Sequence, residues 1–167
     1  MDINWSYKNK SRVFDTKENG GVPYLSFKAL DDTGLAVNGF STRMGGASRG
    51  KFSTMNFSYS RGDAAEDVLE NFTRMAAALG VERDRMVVSH QTHTVNLRRV
   101  TLEDAGKGVI RERDYRDIDG LITDVPGLTL VTFYADCVPL YLLDPVNRAI
   151  GLSHSGWRGT VKRMGQV

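Results

Sequence analysis

Cysteine is almost absent from this chain: its 167 residues contain one, Cys137, and only three histidines. A single cysteine rules out an internal disulfide and removes any argument for an oxidising compartment. Charge bias is missing too, with 22 Lys and Arg against 20 Asp and Glu, a net charge of +2. Neither nucleic acid nor an anionic membrane surface is therefore implied as a partner. No apolar run reaches membrane-spanning length, since polar or charged residues interrupt even 128–143. The polar N-terminus lacks the apolar core of a secretory signal. What is present, 41% hydrophobic and 25% charged residues, is the composition of a soluble, cytoplasmic globular domain long enough to bury a core.

Hydrophobic periodicity runs along the chain without a linker or an internal repeat. The first residues are polar and aperiodic, and 1–20 is expected to form a loosely ordered arm. Val22-Pro23-Tyr24-Leu25-Ser26-Phe27 has strand character, Asp31-Asp32-Thr33-Gly34 reads as a turn, and 35–42 as the returning strand of a hairpin. One helix is clear over 65–79. Val68, Leu69, Phe72, Met75, Ala76 and Leu79 form a single stripe, with Asp63 as the expected cap and Gly80 as the stop. Short strands are expected at 86–88, 95–100, 128–134, 140–143 and 149–153, with a charged loop at 101–117 and a turn at 144–148. Strands outnumber helices, so the expected class is α+β (mixed α/β), in one domain over 1–167. The stretch from Thr160 starts like a helix without a stop signal, and the chain is expected to be incomplete at its C-terminus.

His90, His93, His154 and Cys137 each fall at or near the end of an expected strand, where sites form in open sheets. In Tyr134-Ala135-Asp136-Cys137-Val138-Pro139 the proline bars simple continuation of a central strand, and Asp136 is costly to bury without a partner. That combination points to a bend carrying functional side chains. In Ser153-His154-Ser155-Gly156-Trp157-Arg158-Gly159 a strand delivers a histidine into a glycine-flanked turn, ahead of a helix start whose unpaired N–H groups suit an anion. His90 and His93 lie three apart and, on an extended segment, face opposite sides. One of the two enters a site, and the spacing does not choose which. Two histidines and one cysteine from three strand ends make a zinc site with an open fourth position, the count typical of catalytic zinc.

Motifs narrow the choice. Ser41-Thr42-Arg43-Met44-Gly45-Gly46-Ala47-Ser48, Met55-Asn56-Phe57 with Gly62-Asp63 and Asn71, Gln91-Thr92-His93, Ala135-Asp136-Cys137-Val138-Pro139 and His154-Ser155-Gly156-Trp157-Arg158-Gly159 stand out. Together they resemble the R-x-G-G-x-S, L-N-x-G…D…N, Q-V-H, A-D-C-x-P and H-A-G-W-R-G motifs of the YfiH-type laccase-domain family. Its members are also described as peptidoglycan editing factors and as purine nucleoside phosphorylases of the laccase-domain class. Thr92, Thr94 and Ser155 depart from the usual Val, Gly and Ala, and none of them replaces a proposed ligand. Family members are considerably longer. The resemblance implies a YfiH-like fold of mixed sheets flanked by helices, with zinc held by His93, Cys137 and His154. It selects His93 over His90.

The resemblance also implies chemistry. A multicopper centre needs many imidazoles and this chain has three, so zinc is expected ahead of copper. The expected function is a zinc-dependent purine nucleoside enzyme: phosphorolysis of adenosine- or inosine-type nucleosides, with adenosine deamination by zinc-activated water. Its expected partners are a purine nucleoside and phosphate, in the cytoplasm. Arg43 and Arg158 are candidates for the phosphate. Asp136 is a candidate acid/base or ligand-orienting group, and Asn56 a candidate contact to ribose or base. The alternatives are a cysteine hydrolase using Cys137 as nucleophile and His154 as base, a copper polyphenol oxidase (laccase), or a non-catalytic cell-wall editing factor. Sequence does not specify the oligomeric state.

Overall fold

The structure, a computed structural model, describes residues 12–167. They divide into two compact units, the first ending at Gly80 and the second spanning 81–167.

In the first unit, β1 (Phe14–Asn19) and β2 (Val22–Phe27) are antiparallel, with Asn19 opposite Val22 across a two-residue Gly20-Gly21 turn. Phe14–Asn19 thus form a strand where a loose arm was expected over 1–20, and residues 1–11 of that stretch lie outside the described part. A short helix, α1 (Lys28–Asp31), follows β2, and β3 is only Phe40–Ser41. The returning strand expected over 35–42 thus forms at its end alone. Side chains explain why: Asp31 accepts from Lys17 Nζ at 2.6 Å, Ser26 Oγ at 2.7 Å and Asn38 Nδ2 at 2.8 Å, while Asn38 Oδ1 takes the Phe27 N–H at 2.6 Å. Those bonds hold the segment before Phe40 off the ladder.

The helix α2 spans Ala65–Leu79, as its stripe requires, and Gly80 closes it in the left-handed conformation at φ 69°. Its cap differs from expectation. Ala64 occupies the cap position, because Asp63 is engaged elsewhere: its Oδ2 accepts from Ser48 Oγ at 2.7 Å and Asn56 Nδ2 at 2.8 Å. The buried face of α2 also carries a polar residue, Asn71, fully enclosed and bonded to Ala47 N, Ser48 Oγ and the Asn56 carbonyl. Val22, Tyr24, Met55, Met75 and Ala78 form the apolar cluster of this unit.

The second unit holds two sheets. In one, β4 (Met86–Val88) is parallel to β7 (Thr129–Val131). In the other, β5 (Leu97–Arg99), β6 (Gly120–Thr123), β8 (Val138–Asp144) and β9 (Ala149–Ser155) stand in the order β5-β6-β9-β8. Pairing is parallel between β5 and β6 and antiparallel elsewhere. Val87, Val100, Leu121, Leu128, Leu130 and Leu152 are among the residues buried in its core. A short helix, α3 (Trp157–Val161), follows β9 directly. Pro139 lies inside β8, opposite His154, where the sequence alone argued for a break. The strand tolerates it because β8 is at the sheet margin among the described strands. The interruption sits earlier, between the end of β7 and Cys137. No helix among the described residues is long and apolar enough to cross a membrane.

One buried ion cluster gives this unit an acid-sensitive contribution. Asp104, 3% exposed, accepts from Lys107 Nζ at 2.7 Å, Thr101 N at 3.0 Å and Arg98 Nη2 at 3.0 Å. Burial pushes its pKa up, but the bonds from Lys107, Thr101 and Arg98 more than offset this and bring it down to about 2. A depressed carboxyl stabilises the fold above its unfolded value near pH 4, and that stability is lost as pH falls through the folded value. Unfolding midpoints in urea are expected to record a loss of about 2 kcal/mol from this group between roughly pH 4 and pH 2. Asp104→Asn should flatten that limb of the profile.

Candidate functional site

Strand direction gathers the scarce residues. Because β5 and β6 are parallel, with Leu97 opposite Gly120, the segments entering them lie side by side. Because β9 is antiparallel to β6, with Gly120 opposite Ser153, the end of β9 arrives at the same place. Val138, the first residue of β8, stands opposite Ser155, so Cys137 is delivered there as well. His93, Cys137 and His154 consequently meet at one end of one sheet.

Their donor atoms all lie within 4.8 Å of one another. Cys137 Sγ is 3.9 Å from His93 Nε2, and the two imidazole rings are 4.9 Å apart, edge to face. His154 is buried, Cys137 half-buried and His93 exposed, so the cluster faces solvent on the His93 side. Gly156 makes room for it. A β-carbon there would stand 2.9 Å from His93 Cδ2 and 3.0 Å from Cys137 Sγ. Two imidazoles and one thiol are a donor set suited to zinc, with three protein ligands and an open side.

Two side chains hold these elements in place, and neither was foreseen from the sequence. Asp119, immediately before β6 and fully buried, accepts the His154 Nδ1 proton at 2.8 Å, leaving Nε2 to face the cluster. It also accepts the backbone N–H groups of Thr92, His93 and Thr94 at 3.1, 3.0 and 2.8 Å, and the Thr94 hydroxyl at 2.8 Å. Burial raises its pKa, but the bonds from His154 and the Thr94 and Thr92 backbone outweigh that and hold it below the usual carboxylate range. Gln91 does the second job. Its amide donates to the Phe133 carbonyl at 2.6 Å and accepts the Phe133 N–H at 2.7 Å, like one rung of a ladder. The loop after β4 is thereby joined to the loop after β7. The signal for Asp119 was the short strand-forming run Leu121-Ile122-Thr123 behind it; for Gln91 it was membership of the Gln91-Thr92-His93 motif.

His90 is elsewhere. Its Nδ1 accepts the Asp117 N–H at 3.1 Å, and its backbone bridges Ile118. The separation of the two histidines does not come from strand parity, since His93 has φ 65° and the segment turns. Tyr134 backs His154, with ring centroids 5.8 Å apart, and burial pushes its hydroxyl up to about 12. Asp136 is exposed, with Oδ1 3.6 Å from Cys137 Sγ. Desolvation, and then the Asp136 carboxylate, push the Cys137 thiol up. Arg158 is exposed on α3, its guanidinium 5.4 Å from the Trp157 ring centroid. In the first unit, Arg43 Nη2 donates to the Ser53 carbonyl at 3.0 Å. Asn56 there spends its amide on Asp63 Oδ2 and on Ser58, whose N–H it accepts at 3.2 Å.

A mixed α+β chain with an open N/S donor cluster at one sheet end is the class that fold and site define. The family model described as multi-copper polyphenol oxidoreductase laccase matches residues 37–167, and the chain belongs to that family. It is 39% identical over 129 residues to purine nucleoside phosphorylase YlmD of Geobacillus stearothermophilus, covering 75% of this chain and 46% of that protein. With the Bacillus subtilis YlmD it shares 35% over 134 residues, 78% of this chain and 47% of the other. The crystal structure of the Geobacillus stearothermophilus YlmD superposes with a TM-score of 0.75 at 35% identity, over 89% of this chain and 54% of that one. The Bacillus licheniformis hypothetical protein YfiH gives 0.76 at 31%, over 87% and 53%. The chain spans about half the length of the curated relatives it matches.

Proposed function

We propose that the protein is a zinc-dependent purine nucleoside phosphorylase, with adenosine deamination as a second reaction of the same site. The observation that carries this is the convergence of His93, Cys137 and His154, in a chain whose relatives bear the phosphorylase name. His93 and His154 would hold the ion through imidazole nitrogens and Cys137 through its thiolate. When bound, the ion supplies Lewis acidity at an open position. In phosphorolysis a phosphate oxygen forms the new bond to C1′ of the ribose while the bond from C1′ to the purine nitrogen breaks, and the base leaves with a proton. Arg158, in the same unit as the cluster, is assigned to the phosphate, since a guanidinium offers paired donors to its oxygens. Asp136, exposed beside Cys137, is assigned the proton movement. Asn56 has its amide committed within its own loop and is read as a brace of that loop.

The donor count favours zinc over a multicopper centre, because the chain has three imidazoles and only two of them join the cluster. The clustering of Cys137 Sγ with both imidazoles favours a ligand over a hydrolytic nucleophile, because a metal-bound thiolate is occupied. The test is metal content of the purified protein, measured together with phosphate-dependent release of free base from inosine and adenosine. Stoichiometric zinc with base release that requires phosphate is expected. Base release without phosphate, or turnover that survives metal removal, would overturn the proposal. His90→Ala should keep the metal and His93→Ala should lose it.

A further inference from the structure

Asp119 has more donors around it than a structural carboxylate needs. Five point at its two oxygens: His154 Nδ1 and His93 N at Oδ1, and Thr92 N, Thr94 N and Thr94 Oγ1 at Oδ2. A carboxylate has about four lone-pair positions, so the group is saturated. It is fully buried, and its one ionic partner among the described residues is His154. Enclosing a carboxylate without Lys or Arg is expensive, and a fold keeps it where only an acceptor serves.

We infer that Asp119 is the positioning residue that assembles the cluster, fixing both histidines through a single oxygen. Toward His154 it accepts at Nδ1 and so sets the tautomer that presents Nε2 as an electron-pair donor. Toward His93 it acts on the backbone. His93 holds φ 65°, a left-handed backbone that is unfavourable for a non-glycine residue. Three successive N–H groups closing on one carboxylate offset that cost. The two imidazoles are thereby referenced to one atom, and the approach of one ring to the other does not depend on the ion. The inference rests on the metal reading of the cluster for its purpose, but not for its geometry.

Two measurements test it. In the metal-free protein, nitrogen-15 resonances of the histidines should show the His154 Nδ1 carrying a proton hydrogen-bonded to Asp119, and the Thr92, His93 and Thr94 amides should exchange slowly. Asp119→Asn keeps size but puts an NH₂ among donors. It should weaken zinc binding about 10–100-fold in chelator competition. It should also shift the cobalt-substituted absorption spectrum and speed exchange at the three amides. A His154 Nδ1 that carries no proton in the native protein, or an Asp119→Asn variant with native zinc affinity and spectrum, overturns the inference. If Asp119→Asn does not fold, the native tautomer and exchange data decide alone. If the native protein binds no zinc, the metal reading fails, while those same data still decide the role of Asp119.

Discussion

On the zinc reading proposed above, replacing Cys137 with serine is expected to abolish tight zinc binding while leaving the fold intact. Serine matches the thiol in shape but stays protonated near neutrality, so the soft anionic donor is lost and the two imidazoles remain alone. Loss of a group that merely orients a ligand costs about 10–100-fold in affinity, so loss of a ligand should cost more than about 100-fold. Phosphate-dependent base release should fall with the metal and should not return when zinc is added at stoichiometric concentration. Competition with a coloured chelator measures the first quantity and circular dichroism checks the fold. A Cys137→Ser protein that retains zinc yet loses turnover would instead assign the thiol to nucleophilic catalysis.

The second large effect concerns Gly46, and it is steric. A β-carbon there would stand 2.0 Å from the Thr54 carbonyl oxygen, 2.4 Å from its carbon and 2.6 Å from Met55 Cα. All three are main-chain atoms. They cannot give way cheaply, because the Arg43 carbonyl accepts Thr54 N at 3.0 Å and Met55 N at 3.1 Å, and Ser48 N donates to Thr54 O at 2.9 Å. Gly46→Ala is expected to destabilise the first unit by about 3 kcal/mol or more, beyond ordinary overpacking. Gly34→Ala is the control. Gly34 has φ 64° but nothing near it, so alanine there should cost about 1 kcal/mol from backbone strain alone. Urea midpoints would separate the two. Equal losses would refute the close-approach account of Gly46.

How far the sequence could be read follows from what each feature depends on. The helix α2 was legible to its last residue because a stripe at helical spacing and a closing glycine are local signals. Strand β1 was not, because Phe14-Asp15-Thr16-Lys17-Glu18-Asn19 is mostly polar and only half-buried, leaving the Gly20-Gly21 turn as its sole mark. The break expected at Pro139 failed for a topological reason: a proline is barred from central strands, and which strand is marginal is decided by the whole sheet. The three clustered residues came from scarcity and motif resemblance. Their convergence depended on strand directions that no spacing encodes. Asp119 stayed hidden for the same reason, since it is 26 positions from His93 and 35 from His154.

Those separations carry a consequence for folding order. His93 and Cys137 are 44 residues apart, and no two of the three donors form a local chelating pair in the chain. Closing such loops costs entropy before any contact repays it. The cluster can exist only after β6 has accepted β5 on one side and β9 on the other, and β9 has accepted β8. An ion bound there cannot nucleate the chain as it does in a small finger domain, where closely spaced ligands meet early. It would be captured late, by a sheet already built. Thereafter it would act as a clasp across four strands, slowing unfolding far more than it speeds folding.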